Sequence, residues 1–178
     1  MQALVRDIIE KAALAAGLPE NRVINLVASD NLTLVRPRLE LQFLPETYRR
    51  TGRSLAFERS KTERVRKREL YEVELSVAAN VLAEDDEWLS AFSYAFVAAL
   101  PNGVNDKRGN WVRIRAEKAT FGKTPDNRVG DAIIEVFHYI NELFDLTFTW
   151  RVTRDEIEAL IPAFTINISM EAQHGQEG

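Results

Sequence analysis

The chain contains no cysteine. That single absence excludes disulfide frameworks, thiolate zinc sites, iron–sulfur clusters and cysteine nucleophiles, and it fits a reducing cytoplasm. Histidine is nearly as scarce. Only His138 and His174 occur, so a histidine-rich metal site is not expected. His138 stands between Phe137 and Tyr139 and reads as a packing residue rather than a catalytic base, while His174 sits in a polar tail. The eight glycines are scattered, without the close spacing that lets backbone approach a phosphate. No Gly-x-Ser-x-Gly elbow is present to present a serine nucleophile. No stretch approaches the roughly 20 consecutive apolar residues of a membrane-spanning helix. The first residues are interrupted by Arg6, Asp7, Glu10 and Lys11, which is unlike a secretory leader.

Carboxylates are abundant, but their positions have structural explanations. Asp85, Asp86 and Glu87 cluster where a helix start wants negative charge. Glu72 and Glu74 share one face of a strand, and Asp155 and Glu156 open a second expected helix. The expectation is a non-enzymatic protein with no cofactor and no resident metal.

What is present is an ordinary globular composition, 46% hydrophobic and 28% charged over 178 residues. It predicts one α+β domain over residues 1–170 and a polar, flexible tail over 171–178. The charge is unevenly placed. Between Arg49 and Arg68 stand nine basic residues, Arg49, Arg50, Arg53, Arg59, Lys61, Arg64, Arg66, Lys67 and Arg68, against Glu58 and Glu63. This segment carries +7, and the remaining 158 residues carry −11. A cationic protrusion on an anionic body is expected, suited to contact between copies or with a polyanion. The bland alternative is a solvated loop with an excess of arginine. Tyr48 and Phe57 lie within the basic arm of residues 46–68, and arginine with interleaved aromatics serves protein interfaces and nucleic acid alike.

Apolar spacing places a helix over 2–16, with Leu4, Ile8, Ala12 and Ala15 on one face and Gly17 as its stop. Val23 to Ala28 is β-rich. Leu39, Leu41 and Phe43 alternate with Arg38, Glu40 and Gln42, a half-buried strand with Pro37 at its start or on an edge. Residues 46–67 lack periodicity and predict a long loop or projecting arm. Tyr71, Val73, Leu75, Val77, Ala79 and Val81 mark the clearest strand. A helix follows, capped by Asp85 or Asp86, with Trp88, Leu89, Phe92, Phe96, Val97 and Leu100 as its apolar stripe and Pro101 beyond its end. Trp111–Phe121 alternates as a strand, and 122–130 reads as a loop. Asp131 to Phe144 fits both a helix and a strand. A hairpin turning near Asn141–Asp145 is favoured by the β-branched and aromatic residues on both sides. Leu146–Val152 is a strand, Arg154–Leu160 a short helix, and Phe164–Met170 an alternating segment suited to a sheet edge. The order predicts an antiparallel or mixed sheet with two main helices packed on it, plus a long charged loop or arm.

The stretches MQALVRDIIEKAALAAGL, RPRLELQF, KRELYEVELSVAANVLAEDDEWLSAFSYAFVAAL, NWVRIRAEKATFGKT and FDLTFTWRVT, taken in this order, resemble the tail-terminator or tail-completion (neck) proteins of tailed bacteriophages. The likeness is one of layout and spans most of the chain, although the piece from Pro162 onward goes beyond the plain pattern. It implies a non-enzymatic subunit that forms a ring, commonly hexameric, ending the tail tube and joining it to the head–neck connector. The implied partners are further copies of the chain and the tail-tube and neck proteins. Non-specific contact with DNA in the lumen is also implied, and membrane is not. The implied location is the virion, after assembly in the bacterial host cytoplasm. The competing reading is a nucleic-acid-binding module that uses Arg49–Arg68.

Overall fold

The computed structural model of the chain describes residues 1–25, 35–59, 63–125 and 138–159. Among the described residues, two helices and eight strands follow the order α1 (Gln2–Ala15), β1 (Val23–Asn25), β2 (Arg38–Phe43), β3 (Thr47–Arg50), β4 (Ser54–Arg59), β5 (Glu63–Ala83), α2 (Asp86–Ala99), β6 (Gly103–Asn105), β7 (Trp111–Pro125) and β8 (His138–Ala159). These strands join one sheet in the order β1-β2-β5-β8-β7-β6, with β3 and β4 also paired to β5. Among the described pairs only β1–β2 is parallel. The fold is α+β, as the element order predicts.

β5 organises the sheet. Its 21 residues run beside β8 on one side, paired at every position but Leu70, where the register shifts. On the other side they pair in turn with β2 at Val77–Leu82, β3 at Tyr71–Glu74 and β4 at Arg64–Arg68. β2, β3 and β4 are therefore three collinear pieces laid along one partner. The breaks between them fall at Leu44–Glu46 and at Thr51–Arg53. In the second break Gly52 takes φ +64, a conformation costing a side-chain-bearing residue about 1 kcal/mol or more.

Helices α1 and α2 cover one face of this sheet. Val5, Ile8, Ile9, Ala12 and Ala13 of α1, and Leu89, Phe92 and Phe96 of α2, share a single core with alternate residues of β5 and β8. These are Val73, Leu75, Val77, Ala79 and Val81 on β5, and Phe144, Leu146, Phe148 and Trp150 on β8. Period-two burial in the strands and helical spacing in α1 and α2 thus converge on one layer. Trp88, Phe92 and Phe96 stack along α2 at 5.0 and 5.6 Å, and Phe96 meets Phe144 edge-on at 5.2 Å. Asp85 caps α2, its carboxylate accepting from the Glu87 amide at 3.0 Å. On the other sheet face, Arg38 and Glu40 of β2 form a buried ion pair at 2.7 Å, both side chains 2% exposed.

Four expectations are corrected. Residues 46–67 are not a loop over their described part, because β3, β4 and the start of β5 lie there. Asn141–Asp145 is no hairpin turn: β8 runs straight through it, paired with β5 and β7 on its two sides. Arg154–Ala159 is strand rather than helix, held by its pairing with Glu63–Arg68. Residues 122–125 extend β7 and are not loop. The alternating segment 164–170 and the tail 171–178 lie outside the described residues.

Candidate interaction surface on the arm

Burial stops abruptly along β5. From Val73 to Ala83 every second residue or more is buried, but from Glu63 to Leu70 the only buried residue is Glu69. β8 behaves the same way beyond Trp150, and every described side chain of β4 is exposed. β4, residues 63–70 of β5 and residues 153–159 of β8 thus form a three-stranded arm that continues the sheet past its helix layer. The strands stay paired there, with register shifts between Ser54 and Ala56 and between Glu69 and Tyr71, but the arm buries no hydrophobic layer of its own. β7 reaches β8 no further than Thr149, so among the described residues no strand pairs with the outer side of β8 along the arm, nor with that of β4.

Residues directly opposite in neighbouring strands share a face. Register therefore sorts the cationic residues into two sets. Phe57, Arg66 and Glu156 form one row, and Arg59, Arg64 and Glu158 the next, while Ser54, Arg68 and Arg154 form a third. This face continues the helix side of the sheet through Arg50 and Tyr71 and through Tyr48 and Val73. Arg49, paired with Glu72, and Lys67, paired with Asp155, fall on the opposite face. Of the residues expected to act together, Tyr48, Arg50, Phe57, Arg64, Arg66 and Arg68 are brought to one surface. Arg49 and Lys67 are not. Arg53 sits in the break between β3 and β4, and Lys61 lies outside the described residues.

The helix-side face of the arm is built from guanidinium groups around aromatic rings. The Arg64 guanidinium lies 4.2 Å from the Phe57 ring centre and that of Arg66 5.4 Å, while Phe57 itself stays 54% exposed. Tyr48 meets Tyr71 edge-on at 6.2 Å, and the Tyr48 hydroxyl donates to Glu46. That hydrogen bond holds the Tyr48 hydroxyl above its usual pKa, with burial and the Glu46 charge adding to it.

Sequence reasoning missed the partners of these arginines. Glu156 accepts from Arg154 at 2.6 Å and from Arg68 at 3.5 Å. Glu158 lies 3.5 Å from Arg66 and 3.9 Å from Arg64. The hydrogen bond from Arg154, outweighing partial burial and helped by the Arg68 and Arg154 charges, keeps Glu156 below the ordinary carboxylate range. The acidic residues at 155–158, which the charge count assigns to the body, thus lie within the arm itself. At the arm's base, the buried Glu69 faces Arg151 across 3.3 Å without hydrogen-bond alignment. Arg49, Arg50, Arg53 and Lys67 have no ion pair among the described residues.

The opposite sheet face carries a shallow groove of about 760 Å³, lined by Arg49, Lys67, Glu72, Glu74, Arg113 and Arg151 among others. Its mixed charges converge on no single point. Among the described residues no group of three or more His, Asp or Glu side chains could hold a metal ion. No described helix is long and apolar enough to cross a membrane. No family model matches the chain, and no curated protein matches it.

Proposed function

We propose that this chain is a structural subunit of a tailed bacteriophage, a tail terminator or closely related neck component, which acts by assembling with copies of itself into a ring at the end of the tail tube. The observation that carries this reading is the arm. A ribbon that extends a sheet past its core while exposing Tyr48, Phe57 and a field of arginines has the make-up of a contact surface, since Arg and aromatic residues dominate interface energetics. The excess of guanidinium groups over carboxylates on the arm's helix-side face, in a chain of net charge −4, supports a heterologous contact, in which two different patches meet between neighbours and the pattern repeats around a closed ring.

Electron microscopy of the full chain mixed with tail tubes tests the reading. Ring-shaped density at tube ends, and tubes held to a uniform length, are expected. Tubes that keep growing with no added density would overturn it.

A second reading rests on Arg49, Arg50, Arg53 and Lys67, cations of the 49–68 segment that have no ion pair among the described residues. These could contact phosphates without reading sequence. A DNA-binding module predicts binding by the monomer that weakens steeply with salt and is lost when these four residues become alanine.

A further inference from the structure

We propose that the outer face of α2 is the acceptor for the arm of a second copy of this chain, with the arm's Phe57–arginine face lying across it. The proposal rests on the assembly reading and names the surface that the arm meets.

The first ground is an anomaly in α2. The exposed side of a helix packed on a sheet normally carries charge, and α1 obeys this with Arg6, Asp7, Glu10 and Lys11. From Trp88 to Leu100, α2 has no charged residue at all. Its inward side is Leu89, Phe92, Ser93 and Phe96. Its outward side, Ala91, Tyr94, Ala95, Ala98 and also Val97, which the apolar spacing assigns to the inward stripe, is exposed throughout, with Tyr94 81% open. The small alanines leave Tyr94 standing proud of a flat apolar stripe, onto which an extended ribbon can lie closely.

The second ground is charge. The stripe begins at an acidic head, Glu84 to Glu87, two of whose members, Asp86 and Glu87, fill the first turn of α2. The helix-side face of the arm offers the complement, an exposed ring among guanidinium groups that outnumber their carboxylate partners. Placing that face on α2 sets Phe57 against the apolar stripe and the arginines towards the acidic head.

The third ground is reach, and it fixes the occupant as another copy. The strand rise puts the Arg66 level of β5 roughly 55 Å from Ala83, where α2 begins. The 14 residues of α2 span about 21 Å. Even a helix running straight back along β5 would end more than about 30 Å short of Phe57. The ladder with β8 runs on either side of a single register shift between Glu69 and Tyr71 and keeps the strand from folding back. The arm's complement on its own chain is out of reach, so the contact forms between chains.

The absence of native cysteine permits a direct test on the full chain. Ala91→Cys on one preparation and Ser54→Cys on another are mixed with a short bismaleimide. Expected is a cross-linked heterodimer about tenfold above that from Lys11→Cys with Ser54→Cys, which samples the charged face of α1. Adding Tyr94→Lys to the Ala91→Cys chain is expected to lower the yield at least about tenfold, because it sets a like charge against the arm's guanidinium groups. Circular dichroism of Tyr94→Lys should match the parent, since the side chain is exposed. Equal yields from Ala91→Cys and Lys11→Cys would overturn the proposal. So would an intramolecular link from Ala91→Cys to a cysteine placed within 161–178. If the parent forms rings on tail tubes and Tyr94→Lys forms them equally well, the acceptor assignment fails and the assembly reading stands. If the parent forms none, both fail.

Discussion

The two halves of β5 have the same partner, β8, and the same antiparallel ladder, yet different forces hold them. From Val73 to Ala83 one face is closed by α1 and α2, and the pairing is fixed by burial. A slip of one residue would turn Val73, Leu75, Val77, Ala79 and Val81 out to water. From Glu63 to Leu70 neither face is closed by a helix. Register there rests on backbone hydrogen bonds, on ion pairs from Arg64, Arg66 and Arg68 to Glu156 and Glu158, and on guanidinium groups over Phe57. Exposed ion pairs of this kind contribute little each, about 0–1 kcal/mol. One strand thus passes from a region specified by its core to one specified by its charges.

Substitutions should separate the halves most sharply in the body. Arg38→Ala strips the buried Glu40 carboxylate of its partner and is expected to cost about 3–5 kcal/mol. Phe96→Ala opens the stack between Phe92 and Phe144 and should cost a similar amount, about 3–5 kcal/mol. Urea midpoints measure both, and a loss below about 1 kcal/mol in either would show that the core is not where stability lies. Asp85→Ala removes the cap of α2 and should lower stability by about 1 kcal/mol on the same scale.

The arm should respond less to any single change. Phe57→Ala removes the ring beneath Arg64 and should change global stability by no more than about 1 kcal/mol. Its effect belongs in the local exchange of arm amides. A drop as large as that of Phe96→Ala would erase the distinction between the halves.

Acidification sharpens the contrast further. The folded pKa of Glu156 lies below its unfolded value, so its contribution is complete above the ordinary Glu value near 4.3 and is lost as pH falls through the lower folded value. Amide exchange, corrected for its intrinsic pH dependence, should therefore lose protection at 63–70 in this window before it does at 73–83. Glu156→Gln should abolish that difference. Equal loss in both halves of the parent would refute the linkage.

The body was legible in the sequence because burial writes a pattern. Alternation in 71–83, helical spacing in α1 and α2, the Asp85 cap and the stop at Pro101 all follow from one face meeting the core. The arm left no such trace. With neither face closed by a helix, residues 54–59 and 63–68 need no apolar alternation, and the logic of Arg64 and Arg66 appears only when Glu158, more than 90 residues away, is set beside them. Leu44–Glu46 and Thr51–Arg53 are jogs between pieces bound to the same partner. Arg154–Ala159 is rich in helix formers, but intrinsic propensity is a weak force that pairing with β5 overrides. Around Asn141–Asp145 the β-branched and aromatic residues on both sides suggest two strands, whereas they belong to one. Asn141 instead donates to Asn80 at 2.9 Å, and Asp145 stands between Ala78 and Lys118 in neighbouring strands.

The unbroken course of β5 and β8 from core to tip has a mechanical consequence. Hydrogen bonds in the ladder lie across the strands, so a pull on the tip along its length loads many of them at once, in shear, rather than one after another. A twist applied there is carried straight into the strands beneath Phe92 and Phe96. The arm is therefore a lever whose fulcrum is the helix-covered half of its own sheet, able to hold tension and to report the strain of whatever grips it to the interior of the subunit.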